Sequence, residues 1–209
     1  MKVYCFVSSF KKTNNYLIEI KPNIFIGIDI GLIDFKLIQN VLKKCNGTLL
    51  AYFLTHSHAD HTFGIKEVLA QYKIPVYISN ECAIEMANSR KNFSFYLDDI
   101  PTFEYNFDWN IIKDFDSVNI QGVSVGVFLV PGHSPGCVMY KINNHLFSGD
   151  FLMDTKTPLN FPNSSKKAYQ NSIEKVKKTL GNQSNSLICY SGHGDSFLLS
   201  EHVFFKSMV

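Results

Sequence analysis

No stretch of this chain approaches the ~18 consecutive apolar residues that a membrane-spanning helix needs, so nothing in it reads as a bilayer span. The opening MKVYCFVSSFKK has one lysine, a very short apolar run and no small-residue cleavage site; a first strand is expected there, not a signal peptide. Net charge is nearly absent as well: 20 Lys+Arg against 18 Asp+Glu give +2, which makes no electrostatic case for nucleic-acid binding. Lysines do gather at 166–167 and within 175–178, but Glu174 stands among them, the pattern of a solvated helix face. Cysteine is sparse. Cys5, Cys45, Cys82, Cys137 and Cys189 are odd in number, scattered and without a CxxC pair, so reduced thiols in a cytoplasm are expected and a thiolate zinc site is not. Neither GxGxxG nor a P-loop occurs, which removes the usual nucleotide cradles.

What is there suits a folded domain. Hydrophobic residues make up 45% and charged residues 18%, enough for a real core and too apolar for disorder. No repeat, low-complexity tract or Pro/Gly/Ser-rich linker interrupts the sequence, so one domain over 1–209 is expected. VYCFVSS, NYLIEI and NIFIGIDI read as strands separated by KKTNN and KPN turns. Residues 34–45 have helical apolar spacing with Asp34 as a cap, and TLLAYFLT is the continuous apolar run of a strand buried on both faces. FGIKEVLAQY reads as a helix, PVYIS as a strand, 81–90 as a short helix, and 91–116 as an aromatic-rich irregular stretch that is either a rim over a site or a packed surface loop. SVNI, VSVGVFLV, CVMYKI and HLFSG return to strand patterns. KKAYQNSIEKVKKTL is a helix, SLICYSG a strand, and the last segment a further helix. Strand groups mixed with helices, repeated in two halves, predict an α/β protein whose sheets are covered by helices on their outer faces.

The chemistry gathers where these strands end. THSHADH places His56, His58, Asp60 and His61 directly after TLLAYFLT; His133 follows VSVGVFLV in PGHSPG; Asp150 follows HLFSG; His193 follows SLICY in SGHG. Loops at strand ends are where α/β proteins carry functional groups. A single histidine is more often structural, and His145 and His202, which lack such company, are taken so. Five histidines and two aspartates in such places suit metal ions better. Imidazole and carboxylate without thiolate favour zinc, iron or manganese. Seven ligands exceed one tetrahedral ion and suit two ions that share a carboxylate, a device for hydrolysis. Ser57 and Ser134 sit in no GxSxG elbow, and Cys137 and Cys189 lie within apolar strand patterns that argue for inert buried thiols.

These motifs, with Asp29 in IDIG ahead of them, resemble in order those of the metallo-β-lactamase fold superfamily over nearly the whole chain. The resemblance implies a four-layer αββα sandwich with the metals at one edge of the paired sheets. It implies His56, His58 and His133 on one metal, Asp60, His61 and His193 on the second, and Asp150 bridging. Asp60 would also orient the attacking hydroxide, and Asp29 would support the site by hydrogen bonding, its alternative being an ordinary turn aspartate. Within the superfamily, Asp150 disfavours the cysteine-bearing lactamases and His58 the flavo-diiron proteins. NNYLIE, PGHSPGCVMY and SGD are most similar to glyoxalase II-like hydrolases, which implies hydrolysis of a small acyl thioester.

Three departures bear on the substrate. The resemblance includes no C-terminal glutathione-binding helical domain, FLMDTKTPLNFP replaces a glycine-rich stretch ending in arginine, and HTFG replaces HxGG. Phe63 is therefore expected to re-shape the rim, with Lys156 either a cation for substrate or a solvated lysine. The mononuclear-iron persulfide dioxygenases share the motifs and stay open as an alternative, as do lactonase or phosphodiesterase activity and, less favoured, a non-catalytic binding role. The expected cofactor is two divalent ions, zinc first and iron or manganese next. The expected partner is a small molecule, with no nucleic acid and no membrane.

Overall fold

The computed structural model describes residues 1–206, and two mixed six-stranded sheets account for most of its regular backbone. The chain divides into two units, Met1–Ile111 and the segment from Ile112 onward. No helix among the described residues is long and apolar enough to cross a membrane.

In the first unit, β1 (Lys2–Val7), β2 (Asn14–Lys21) and β3 (Ile24–Ile28) pair antiparallel, with Asn23 left-handed at φ 63° in the tight KPN turn. The sheet then turns parallel. β4 (Thr48–Phe53) joins β3 after helix α1 (Lys36–Lys44), and β5 (Val76–Ser79) joins β4 after α2 (Ala59–Thr62) and α3 (Ile65–Gln71). Helix α4 (Asn80–Met86), capped by Ser79 Oγ on the Cys82 amide, follows β5, and β6 (Asn110–Ile112) forms the far edge. Ile38 and Leu42, four residues apart, bury one stripe of α1, while Lys43 and Lys44 sit in its last turn, where the helix dipole favours cations. Asp34 takes the Lys36 amide at 3.0 Å, although the cap position itself falls on Phe35. β4 is buried along most of its length because it is an inner, parallel strand, which is why its sequence is apolar without alternation.

In the second unit, β7 (Ser117–Ile120), β8 (Val123–Leu129), β9 (Val138–Ile142) and β10 (His145–Gly149) form an antiparallel meander. Gln121 and Gly122, at φ 52° and 83°, supply the two-residue turn between β7 and β8 that matches strand twist. Helix α5 (Lys166–Leu180) carries the crossover to β11 (Ile188–Ser191), parallel to β10, and β12 (Phe197–Leu198) closes the edge. Tyr169, Ile173, Val176 and Leu180 bury one face of α5, and Ser165 accepts the Ala168 amide at its start.

The helix expected over FGIKEVLAQY is formed as α3, after the separate single turn of α2. Two expectations change. The stretch 91–116 contains a 3-10 turn (Ser94–Tyr96) and β6. The expected final helix is not formed by the described residues: a 3-10 turn covers Leu199–Glu201, and the buried Leu199, His202 and Phe205 recur every third residue, the period of a tighter turn. The remainder of that segment lies outside the described residues.

Gly27 is closely packed in the first sheet. It pairs with Tyr52, whose buried ring lies so close that a β-carbon on Gly27 would stand 2.2 Å from its Cζ. Gly27→Ala is expected to cost about 1–3 kcal/mol, the usual penalty of overpacking, read as a lower urea midpoint at unchanged slope. An unshifted midpoint would contradict this packing.

Candidate metal centre

β4 ends at Phe53, and the next eight residues carry four candidate donors. His56, His58 and His61 are buried, with the His56 ring 4.5 Å from that of His58 and 4.2 Å from that of His61. Asp60 and His61 lie in the single turn of α2, where Asp60 Oδ2 stands 3.8 Å from His61 Nε2. The same carboxylate oxygen accepts the Thr13 hydroxyl at 2.8 Å. Close approach makes room for this turn: a β-carbon on Gly31 would lie 1.8 Å from the Asp60 carbonyl oxygen. Ser57, between the first two histidines, donates its hydroxyl to the buried Glu85 at 2.8 Å and is not poised as a nucleophile.

A buried carboxylate orders these rings. Asp29, in left-handed backbone at φ 54° just after β3, accepts the Thr55 amide at 2.7 Å, the Thr55 hydroxyl at 2.6 Å and His61 Nδ1 at 2.9 Å. Because a carboxylate only accepts, His61 carries its proton on Nδ1. The Thr55 hydroxyl spends its own proton on Asp29, so its oxygen accepts from His56 Nδ1 at 3.1 Å. Both imidazoles are thereby fixed in the Nδ1–H tautomer and present Nε2 as a lone pair, the form that binds metal.

The second unit makes a corresponding arrangement. β8 runs into His133, β10 into Asp150 through Gly149, and β11 toward His193. His133 is buried against the edge of Phe161, and its Nδ1 donates to the Pro158 carbonyl at 2.9 Å, which leaves Nε2 as a lone pair again. That nitrogen faces Asp150 Oδ2 at 3.4 Å, and His193 Nε2 faces the same oxygen at 3.5 Å. One carboxylate oxygen thus stands opposite two imidazole nitrogens. Both distances exceed an N–H···O hydrogen bond and match the roughly 3.4 Å that separates two donors each about 2.1 Å from one tetrahedral ion. The donor set therefore fits a divalent metal.

The other predicted positions are less central. Phe63 is half-buried against Phe103, and its carbonyl accepts the Tyr105 hydroxyl at 3.1 Å, so it belongs to an aromatic row in the first unit. Lys156 is exposed in the loop after Asp150, on a cavity of about 660 Å³ shared with Lys166, Tyr169 and His202. His145 stacks on Tyr190 and His202 on Phe197, and burial lowers both of their pKa values. Burial pushes the Cys189 thiol up to about 12, in keeping with an inert thiol. Sequence reasoning passed over Thr13, Thr55, Glu85 and Pro158. Only Thr55 had a local signal, its place at the head of THSHADH.

Residues 48–193 match the family model described as the metallo-beta-lactamase superfamily. Hydroxyacylglutathione hydrolase of Citrobacter koseri is 27% identical over 73% of this chain and 51% of its own length. The enzyme of the same name from Wigglesworthia glossinidia brevipalpis is 29% identical over 77% of this chain and 53% of its own. The chain thus spans about half the length of these curated relatives. Among solved structures, the BLEG-1 B3 metallo-beta-lactamase superimposes with a TM-score of 0.85 at 25% identity, covering 98% of this chain and 99% of that one. The α/β sandwich expected from the sequence is the fold these comparisons return.

Asp29→Ala would strip one acceptor from three buried donors. It is expected to destabilise the fold by on the order of 3 kcal/mol, whereas Thr55→Val, which leaves the amide bond to Asp29 intact, should cost about 1 kcal/mol. Urea denaturation of both variants checks the order; equal losses would contradict the central place of Asp29.

Proposed function

The chain belongs to the metallo-β-lactamase superfamily, and on that premise we propose that it is a hydrolase of small acyl thioesters working with two divalent metal ions. His56, His58 and His133 would hold one ion, Asp60, His61 and His193 the other, and Asp150 would be shared between them. One observation carries this reading: a single oxygen, Asp150 Oδ2, faces two imidazole Nε2 atoms at 3.4 and 3.5 Å. The all-nitrogen-and-oxygen donor set suits zinc first, and iron or manganese next. The thioester class is supported by the names of the relatives, hydroxyacylglutathione hydrolases.

When bound, the two ions would polarise the carbonyl and lower the pKa of water enough for attack near neutral pH. The chain's own residues do the rest. Asp29, Thr55 and the Pro158 carbonyl hold their histidines in one tautomer and one orientation, so no reorganisation is needed as charge develops. Asp60, held by the Thr13 hydroxyl, would accept a hydrogen bond from the attacking water and so help to orient it. The departing thiolate is a stable anion and asks for no strong general acid.

Asp150→Ala is expected to bind less than one equivalent of metal and to lose more than about 100-fold in kcat/KM, beyond what losing an outer hydrogen-bond partner costs. Elemental analysis of the variant alongside a thioester assay checks both. Full metal content with full activity would sink the shared role of Asp150.

A further inference from the structure

An aromatic ledge leads from the surface of the first unit to His58. The Phe93 ring lies 4.6 Å from the His58 ring, Tyr96 lies 6.2 Å from Phe93, and Phe95 meets Tyr96 edge-on at 5.3 Å with Arg90 4.4 Å above its face. Phe95 and Tyr96 are 49% and 59% exposed, so these rings are displayed and not used as core. The backbone is bent to display them. Phe93 sits at φ 65°, a left-handed conformation that is rare for a bulky side chain and persists only where neighbouring structure imposes it.

That imposing structure is buried and polar. Asn92 sends its amide group to the Phe103 and Met86 carbonyls and accepts the Ser94 amide across Phe93, while Ser94 Oγ clamps both the amide and the carbonyl of Phe103. The Asn92 carbonyl also accepts the amide of Ala59, the residue directly after His58, at 2.8 Å. The turn is thus bolted to the same loop that carries the candidate donors. An ordinary surface loop has no need of such a clamp, or of a strained phenylalanine against a histidine.

We propose that Phe93 and Tyr96 form a specificity-determining wall that receives the acyl group of the substrate and favours aromatic acyl groups over small ones. The inference rests on the thioesterase reading for the reaction, and adds the substrate class. Ring faces and edges reward an aromatic guest beyond what area alone gives.

The test compares kcat/KM for the phenylacetyl and acetyl thioesters of N-acetylcysteamine, using metal-loaded wild type, Phe93→Gly and Tyr96→Ala. Glycine suits the left-handed backbone at 93, and Tyr96 is exposed, so both variants should fold. The wild type is expected to prefer the phenylacetyl thioester by at least about tenfold, and each variant to bring that ratio toward one. A wild type without preference, or variants that keep the ratio, would overturn the wall. If the wild type cleaves neither thioester, the thioesterase reading fails, and calorimetric binding of phenylacetate decides the wall alone. Affinity that weakens about tenfold in both variants supports it; equal affinity, or no binding by the wild type, refutes it.

Discussion

A single buried carboxylate sets the chemistry of the first half-site. Asp29 can only accept hydrogen bonds, and it accepts three. Its charge fixes the proton of His61 directly and that of His56 through the Thr55 hydroxyl, so two imidazoles are oriented by one side chain. Burying so many polar groups is costly unless each is satisfied, and the network around Asp29 offsets that cost while it selects the tautomer. His133 reaches the same end by a different route, with the Pro158 carbonyl in place of a carboxylate.

The strands explain why these groups can be held so firmly. β4, β8, β10 and β11 are each hydrogen-bonded into a sheet, β4 and β10 largely buried, and deliver their donors within a few residues of their ends. Donors placed on such short tethers inherit the rigidity of the sheet. The aromatic turn at 93–96 has no strand behind it and is held by Asn92 and Ser94 instead. Sheet ends and side-chain clamps are two solutions to one problem, that of keeping a loop in a single conformation.

Much of this was legible in the sequence because it is local. The helix at 166–180 and the strands at 117–120 and 145–149 match their expected bounds, since apolar period and flanking turn residues agree there. THSHADH packs four donors into one loop, which any reading notices. Long-range partners left no trace. Thr13 meets Asp60 across 47 residues and Glu85 meets Ser57 across 28, and neither contact has a spacing to betray it. The aromatic stretch 91–116 stayed ambiguous because its clamp closes between residue 94 and residue 103 in space, not through periodicity. The last segment misled for a different reason: its burial recurs every third residue, too tight for an α-helix.

The most direct measurement is metal stoichiometry by elemental analysis on the same purified sample that is assayed for thioester hydrolysis. Two equivalents of divalent metal per chain are expected, with hydrolysis that is abolished by chelation and restored in proportion to metal returned. Undiminished hydrolysis after chelation would contradict the account. So would a single iron per chain accompanied by oxygen consumption with a persulfide and no thioester cleavage.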